Sequence, residues 1–132
     1  MAPVRLALIL VVAVAALTGC DRYGDDIDAV KQAQSIVGGT NEAMAVEIAG
    51  ARGTVEWKAG PAPKYESADI VGVQAVIKRI GTSGKRHVVE LDFVHNRQTK
   101  MVGFDGMLVD GEKQDLISAL LGGLGKLLLQ LE

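Results

Sequence analysis

Cysteine is nearly missing from this sequence. Cys20 is the only one, so no intramolecular disulfide can form. Histidine occurs only at positions 87 and 95. Both fall on one face of the same predicted strand, roughly 26 Å apart at about 3.3 Å per residue. They cannot share a metal or act as a pair, and they read as strand-end surface residues. Aromatics are also few, being Trp57, two Tyr and two Phe. Glu90 and Asp92 lie about 7 Å apart by strand rise, a separation that suits a glycosidase carboxylate pair. No aromatic platform for a sugar lies nearby, so the pair reads as a solvated sheet face. Charge of neither sign dominates, with 14 basic and 16 acidic residues. That balance lacks the basic footprint of a nucleic-acid binder. No phosphate-binding loop, G-x-S-x-G elbow or 20–50-residue repeat occurs. The acidic group Asp21, Asp25, Asp26 and Asp28 lacks the alternating ligands, central Gly and distal Glu of an EF-hand loop. No metal site is expected.

Only one long run without charge exists, from Leu6 to Leu17 behind the single base Arg5. It is shorter than the roughly 20 apolar residues that span a bilayer, and it suits the apolar region of a secretory signal. Leu17-Thr18-Gly19-Cys20 follows directly. This stretch resembles the lipobox of bacterial membrane lipoproteins. Leu17 would fill an apolar peptidase subsite, the small Thr18 and Gly19 would enter a narrow cleft, and the Cys20 thiolate is the nucleophile that a thioether requires. The resemblance implies a signal peptide at 1–19 and lipidation of Cys20 with diacylglycerol and an N-acyl chain such as palmitate, with no other cofactor. Two or more chains anchor stably to a bilayer. Asp21 is similar to an inner-membrane sorting signal, which favours the periplasmic face of that membrane.

Without 1–19 the chain keeps 13 basic and 16 acidic residues, a net charge of −3. Its 113 residues suit one domain. Residues 20–26 read as a short lipidated tether, and 27–132 as a single domain. Asp25 or Asp26 can cap a helix through Val37, with Ile27, Val30, Ala33 and Val37 on one stripe. Gly38-Gly39 ends it, and Thr40 can cap a second segment over 41–49. This segment is read as helix from its alanines and Glu42, although Met44, Val46 and Ile48 also alternate as a strand would. From Gly53 the period becomes two. Val55 and Trp57 share a face, 59–64 is a loop because of its two prolines, and Val71, Val73, Ala75 and Ile77 share the next face. After a turn at 81–85, Val89, Leu91 and Phe93 alternate with Glu90 and Asp92. After 96–99, Val102, Phe104 and Leu108 line a last strand ending at Asp110-Gly111. Leu116, Leu120, Leu124, Leu127 and Leu131 then form a helical stripe over 112–131, with Gly122, Gly123 and Gly125 weakening its middle.

These patterns predict an α+β fold, with an N-terminal helix or helices, a four-stranded antiparallel meander and a C-terminal helix. The element order is similar to cystatin-like and NTF2-like small lipoproteins, and to the small lipoprotein of the outer-membrane assembly complex. That resemblance implies a ligand- or partner-binding concave face. The expected function is a membrane-tethered, non-catalytic binding or accessory subunit of the cell envelope, with the bilayer and an envelope protein as partners. Trp57, Phe93, Leu116, Leu120, Leu124 and Leu127 are the candidate contact surface. The alternative is a small apolar ligand or lipid held between helix and sheet against the same side chains.

Overall fold

A computed structural model describes residues 13–115, 123 and 125–132, with side chains from Arg22 onward. Leu116, Leu120 and Leu124 lie outside the described residues. Helix α1 (Ala13–Gln32) turns Tyr23, Ile27 and Val30 towards the core, a spacing that keeps all three on one stripe. It ends five residues before the expected Val37. The reason lies in Ser35. Its Oγ accepts from Val37 N–H (3.2 Å) and donates to the Gly38 carbonyl (2.6 Å), offering the backbone a turn instead of another helical rung. Gly38 and Gly39 complete the reversal at φ 95° and 70°, which glycine adopts at no steric cost. Ile36 and Val37 are left exposed.

Helix α2 (Asn41–Ala49) starts at the Thr40 cap, whose side chain accepts from Ala43 N–H at 3.1 Å. Met44, Ala45, Ile48 and Ala49 form its buried stripe. Asn41 is buried too, and its Nδ2 donates to the Val30 carbonyl (2.8 Å), tying α2 to α1.

The sheet is an antiparallel meander of five strands in sequence order, not four. They are β1 (Thr54–Pro61), β2 (Ile70–Ile80), β3 (Arg86–Asn96), β4 (Val102–Val109) and β5 (Glu112–Lys113). Asp110-Gly111, expected to end the sheet, is a two-residue hairpin turn into β5, with φ 51° and 86°. Residues 112–113 are therefore strand rather than the start of the C-terminal helix, and helix is described at 125–130. β1 also runs through Ala59, Gly60 and Pro61, where a loop was expected. An edge strand tolerates proline because one of its sides carries no ladder.

One face of the sheet is covered. Val71, Val73, Ala75 and Ile77 of β2 and Val89, Leu91 and Phe93 of β3 pack against α1, α2 and Leu131, and all these sheet residues are at most 2 % exposed. Trp57, Phe93 and Phe104 form an aromatic row across this face, with ring centroids 6.1 and 5.4 Å apart. β4 carries a bulge. Phe104 pairs with Phe93 and Gly106 with Asp92, so Asp105 is the extra residue.

Candidate functional site

The end of the sheet from which α1 departs carries the most closely knit polar cluster. Asp26 is a carboxylate on the buried side of α1, only 1 % exposed. Arg97, just beyond β3, grips it through Nε to Oδ1 (3.1 Å) and Nη2 to Oδ2 (2.7 Å). His95 donates from Nδ1 to Oδ1 at 2.7 Å. Burial pushes the Asp26 carboxyl up, but the hydrogen bonds from Arg97 and His95 outweigh it and hold the group below the ordinary carboxylate value. Arg97 Nη2 also donates to the Arg22 carbonyl (3.0 Å), and the Arg97 N–H to the Asp69 carbonyl (2.8 Å). Its guanidinium lies 5.7 Å from the Tyr23 ring centroid. Arg97 thus joins α1, the β1–β2 connection and the β3–β4 hairpin at one point. The charges are paired and the hydrogen bonds point inward, which makes the cluster a mechanical lock between α1 and the sheet.

His87 occupies the other end of the same face. It is 6 % exposed and donates from Nδ1 to Asp110 Oδ2 at 2.7 Å. Asp110 Oδ1 also accepts from Val88 N–H (2.9 Å), and these two bonds hold its carboxyl below the ordinary value. Both histidines are therefore buried, not strand-end surface residues. The shared face was read correctly, but it is the covered one, and an aspartate at each end makes burial tolerable. Each histidine holds its own carboxylate, and the two sites are opposite ends of an 11-residue strand.

On the open face the β1–β2 connection arches across the sheet. Tyr65 donates its hydroxyl to Asp105 Oδ1 (2.8 Å), and Lys64 Nζ lies 3.0 Å from Oδ2. Burial raises the Asp105 carboxyl, but these two donors lower it further than burial raises it. Glu90 and Asp92, the carboxylates with glycosidase-like spacing, share one amide: Gln74 Nε2 donates to both, at 3.2 and 2.9 Å. Among the described residues, no group of three or more His, Cys, Asp or Glu could hold a metal ion.

A small apolar cavity of about 90 Å³ lies between α2, the sheet and the C-terminal segment. Ile36, Met44, Ile48, Leu91, Phe104 and Leu127 are among its lining residues. Trp57 and Phe93, both expected to face such a pocket, do not line it. Trp57 is half-buried on β1, and Phe93 is 2 % exposed within the core. Leu127 does contribute to the cavity wall.

Cys20 and Asp21 lie within α1, as do residues 22–26, which were expected to form a polar tether. What the sequence reading missed is the Asp26–His95–Arg97 lock, whose partners are 69 and 71 residues apart. Two signals could have pointed to it. Asp26 interrupts the apolar stripe of α1, and His95 continues the inward alternation of Val89, Leu91 and Phe93. No helix among the described residues is long and apolar enough to cross a membrane. The chain matches no family model, no curated protein and no solved structure.

Proposed function

We propose that this chain is a membrane-tethered, non-catalytic binding or accessory lipoprotein of the bacterial cell envelope, acylated on Cys20. One observation carries the reading. The Leu17-Thr18-Gly19-Cys20 motif lies within α1, about two turns ahead of the Asp26 that His95 and Arg97 bolt to the sheet. A lipid at Cys20 would be only two residues from Arg22, whose carbonyl already takes part in that lock. The domain would then stand close to the bilayer in a defined attitude, with the rest of its surface free for an envelope protein. Asp21 favours the inner membrane by its resemblance to a sorting residue.

The test is intact mass of the chain isolated from bacterial membranes. The expected product begins at Cys20 and carries diacylglycerol plus an N-acyl chain. Cys20→Ala should move the protein out of the membrane fraction. An intact leader, or a free thiol on a released product, would overturn the reading. Crosslinking in intact membranes, with Cys20→Ala as control, then identifies the partner.

A second reading is favoured by the 90 Å³ cavity, which would take a short apolar group such as the end of an acyl chain. Lipid extracted from purified protein, and its loss in an Ile48→Trp variant that fills the space, would support it.

A further inference from the structure

We propose that the tip of the β3–β4 hairpin, residues 96–101, rests together with Arg22 on an anionic phospholipid bilayer and fixes the orientation of the domain. This rests on the reading above that the bilayer lies at the N-terminal end of α1. The first support is position. Arg97 in the tip donates to the Arg22 carbonyl and to Asp26, so the tip and this part of α1 are one rigid unit. Cys20 precedes Arg22 by two residues, about 3 Å of helical rise. Whatever holds the chain at Cys20 or ahead of it approaches the bilayer from the end of the sheet that carries the tip.

The second support is chemistry. The tip reads Asn96-Arg97-Gln98-Thr99-Lys100-Met101, with two bases and no acid. Lys100 and Arg22 form no ion pair among the described residues. Met101 is 70 % exposed, an apolar side chain held in water at the end of a hairpin. The turn is held fixed, since Asn96 Oδ1 accepts from the N–H groups of Gln98 (2.9 Å) and Thr99 (3.1 Å). Bases beside a protruding flexible apolar side chain suit the headgroup boundary, where charge meets phosphate and carbon meets acyl chain. Arg97 is already paired with Asp26, and Glu66, Asp69 and the exposed Asp25, about one turn beyond Arg22, offset Lys100 and Arg22. The tip therefore orients a domain held by another anchor and does not recruit it. At the opposite end the β2–β3 turn and the first residue of β3 carry the exposed bases Lys85 and Arg86, while Asp110 and Glu132 are occupied by His87 and Arg79. The position of Cys20, not charge, therefore selects the end that faces the bilayer.

The experiment uses the full chain taken from bacterial membranes and reconstituted into nanodiscs containing phosphatidylglycerol. Met101→Trp and Ser83→Trp place an indole at the two ends, and Trp57 serves as internal reference. Lipids brominated near the headgroup should quench the indole at position 101 and leave position 83 bright. Lys100→Glu, or neutral lipid in place of phosphatidylglycerol, should lower the ratio of lipid-contacting to free tip, read from the quenching, by about fivefold for each attraction lost. Equal quenching at both ends, or none at position 101, overturns the proposal. Intact mass of the same sample reports acylation separately. Where Cys20 is a free thiol, coupling it to a maleimide headgroup lipid allows the same measurement, so failure of the lipoprotein reading and failure of the tip contact are told apart.

Discussion

Removing the Asp26 carboxylate should loosen α1 from the sheet, and Asp26→Asn does so with almost no change in volume. The wild-type carboxylate accepts from Arg97 Nε, Arg97 Nη2 and His95 Nδ1. Hydrogen bonds to a charged group contribute about 1.5–3 kcal/mol each when isolated. Three sharing one acceptor are not additive, and part of the gain offsets the cost of burying the carboxylate. The Arg97 side chain is 40 % exposed and can recover water, whereas His95 at 7 % cannot. The expected net loss is therefore roughly 2–4 kcal/mol, or about 8–16 °C in Tm for a domain of this size. Urea unfolding followed by circular dichroism measures it. The pH dependence gives a second readout. The folded carboxyl titrates below its unfolded value, so between the two values the unfolded chain binds more protons and stability rises with pH. The contribution is complete above about pH 4 and is lost as pH falls through the folded value. Asp26→Asn should flatten that acid limb by one proton. A variant within about 0.5 kcal/mol of wild type, or an unchanged acid limb, would show that Asp26 is not a structural lock.

Three further perturbations test other parts of the fold. Phe93→Ala should cost about 3–5 kcal/mol in urea unfolding, because the ring fills the centre of an aromatic row and leaves a cavity behind. Asp110→Asn keeps a residue tolerant of the positive φ of 51° and should cost about 1 kcal/mol. Asp110→Val adds a branched side chain at that φ and should cost roughly 1–3 kcal/mol more, and equal costs would contradict the turn assignment. Asp105→Ala should leave global stability within about 1 kcal/mol, since its partner Lys64 is largely exposed. It should nonetheless speed hydrogen exchange across 62–66, and unchanged protection there would mean that the arch is held by something else.

The long strands were legible because one of their faces is covered and the other is not. Val71 to Ile77 and Val89 to Phe93 alternate without interruption, and their observed pairing, Val73 opposite Phe93 and Ile77 opposite Val89, follows that alternation. β5 was not legible because two residues are too few to show a period, although the Asp-Gly pair ahead of it is a strong hairpin signal. The end of α1 was misplaced for a different reason. Val37 fits the helical stripe, but a local side-chain bond from Ser35 and a Gly-Gly reversal outweigh periodicity. The histidines illustrate a third limit. Alternation placed both on the face of Phe93, yet their polarity suggested water, and only the distant carboxylates Asp26 and Asp110 make their burial intelligible. Pairings across 69–71 residues leave no trace in spacing.

The helical state of residues 20–26 makes the link between anchor and domain short and stiff, and this can be separated from stability by one insertion. Placing a six-residue Gly-Ser segment between Asp21 and Arg22 leaves the Asp26–His95–Arg97 lock wholly downstream. Urea unfolding should therefore stay within about 1 kcal/mol of wild type, because extra flexible residues outside a packed core cost little. The attitude of the domain should change far more. A flexible segment of that length has a root-mean-square span of roughly 13 Å, enough to let the hairpin tip leave the bilayer and the domain tumble about its anchor. Quenching of the position-101 indole by brominated lipid should fall towards that of position 83. A large loss of stability would mean that residues ahead of Arg22 carry packing of their own. Unchanged quenching with unchanged stability would mean that the tip binds lipid without help from the helix, and that the stiffness of α1 has no part in orienting the domain.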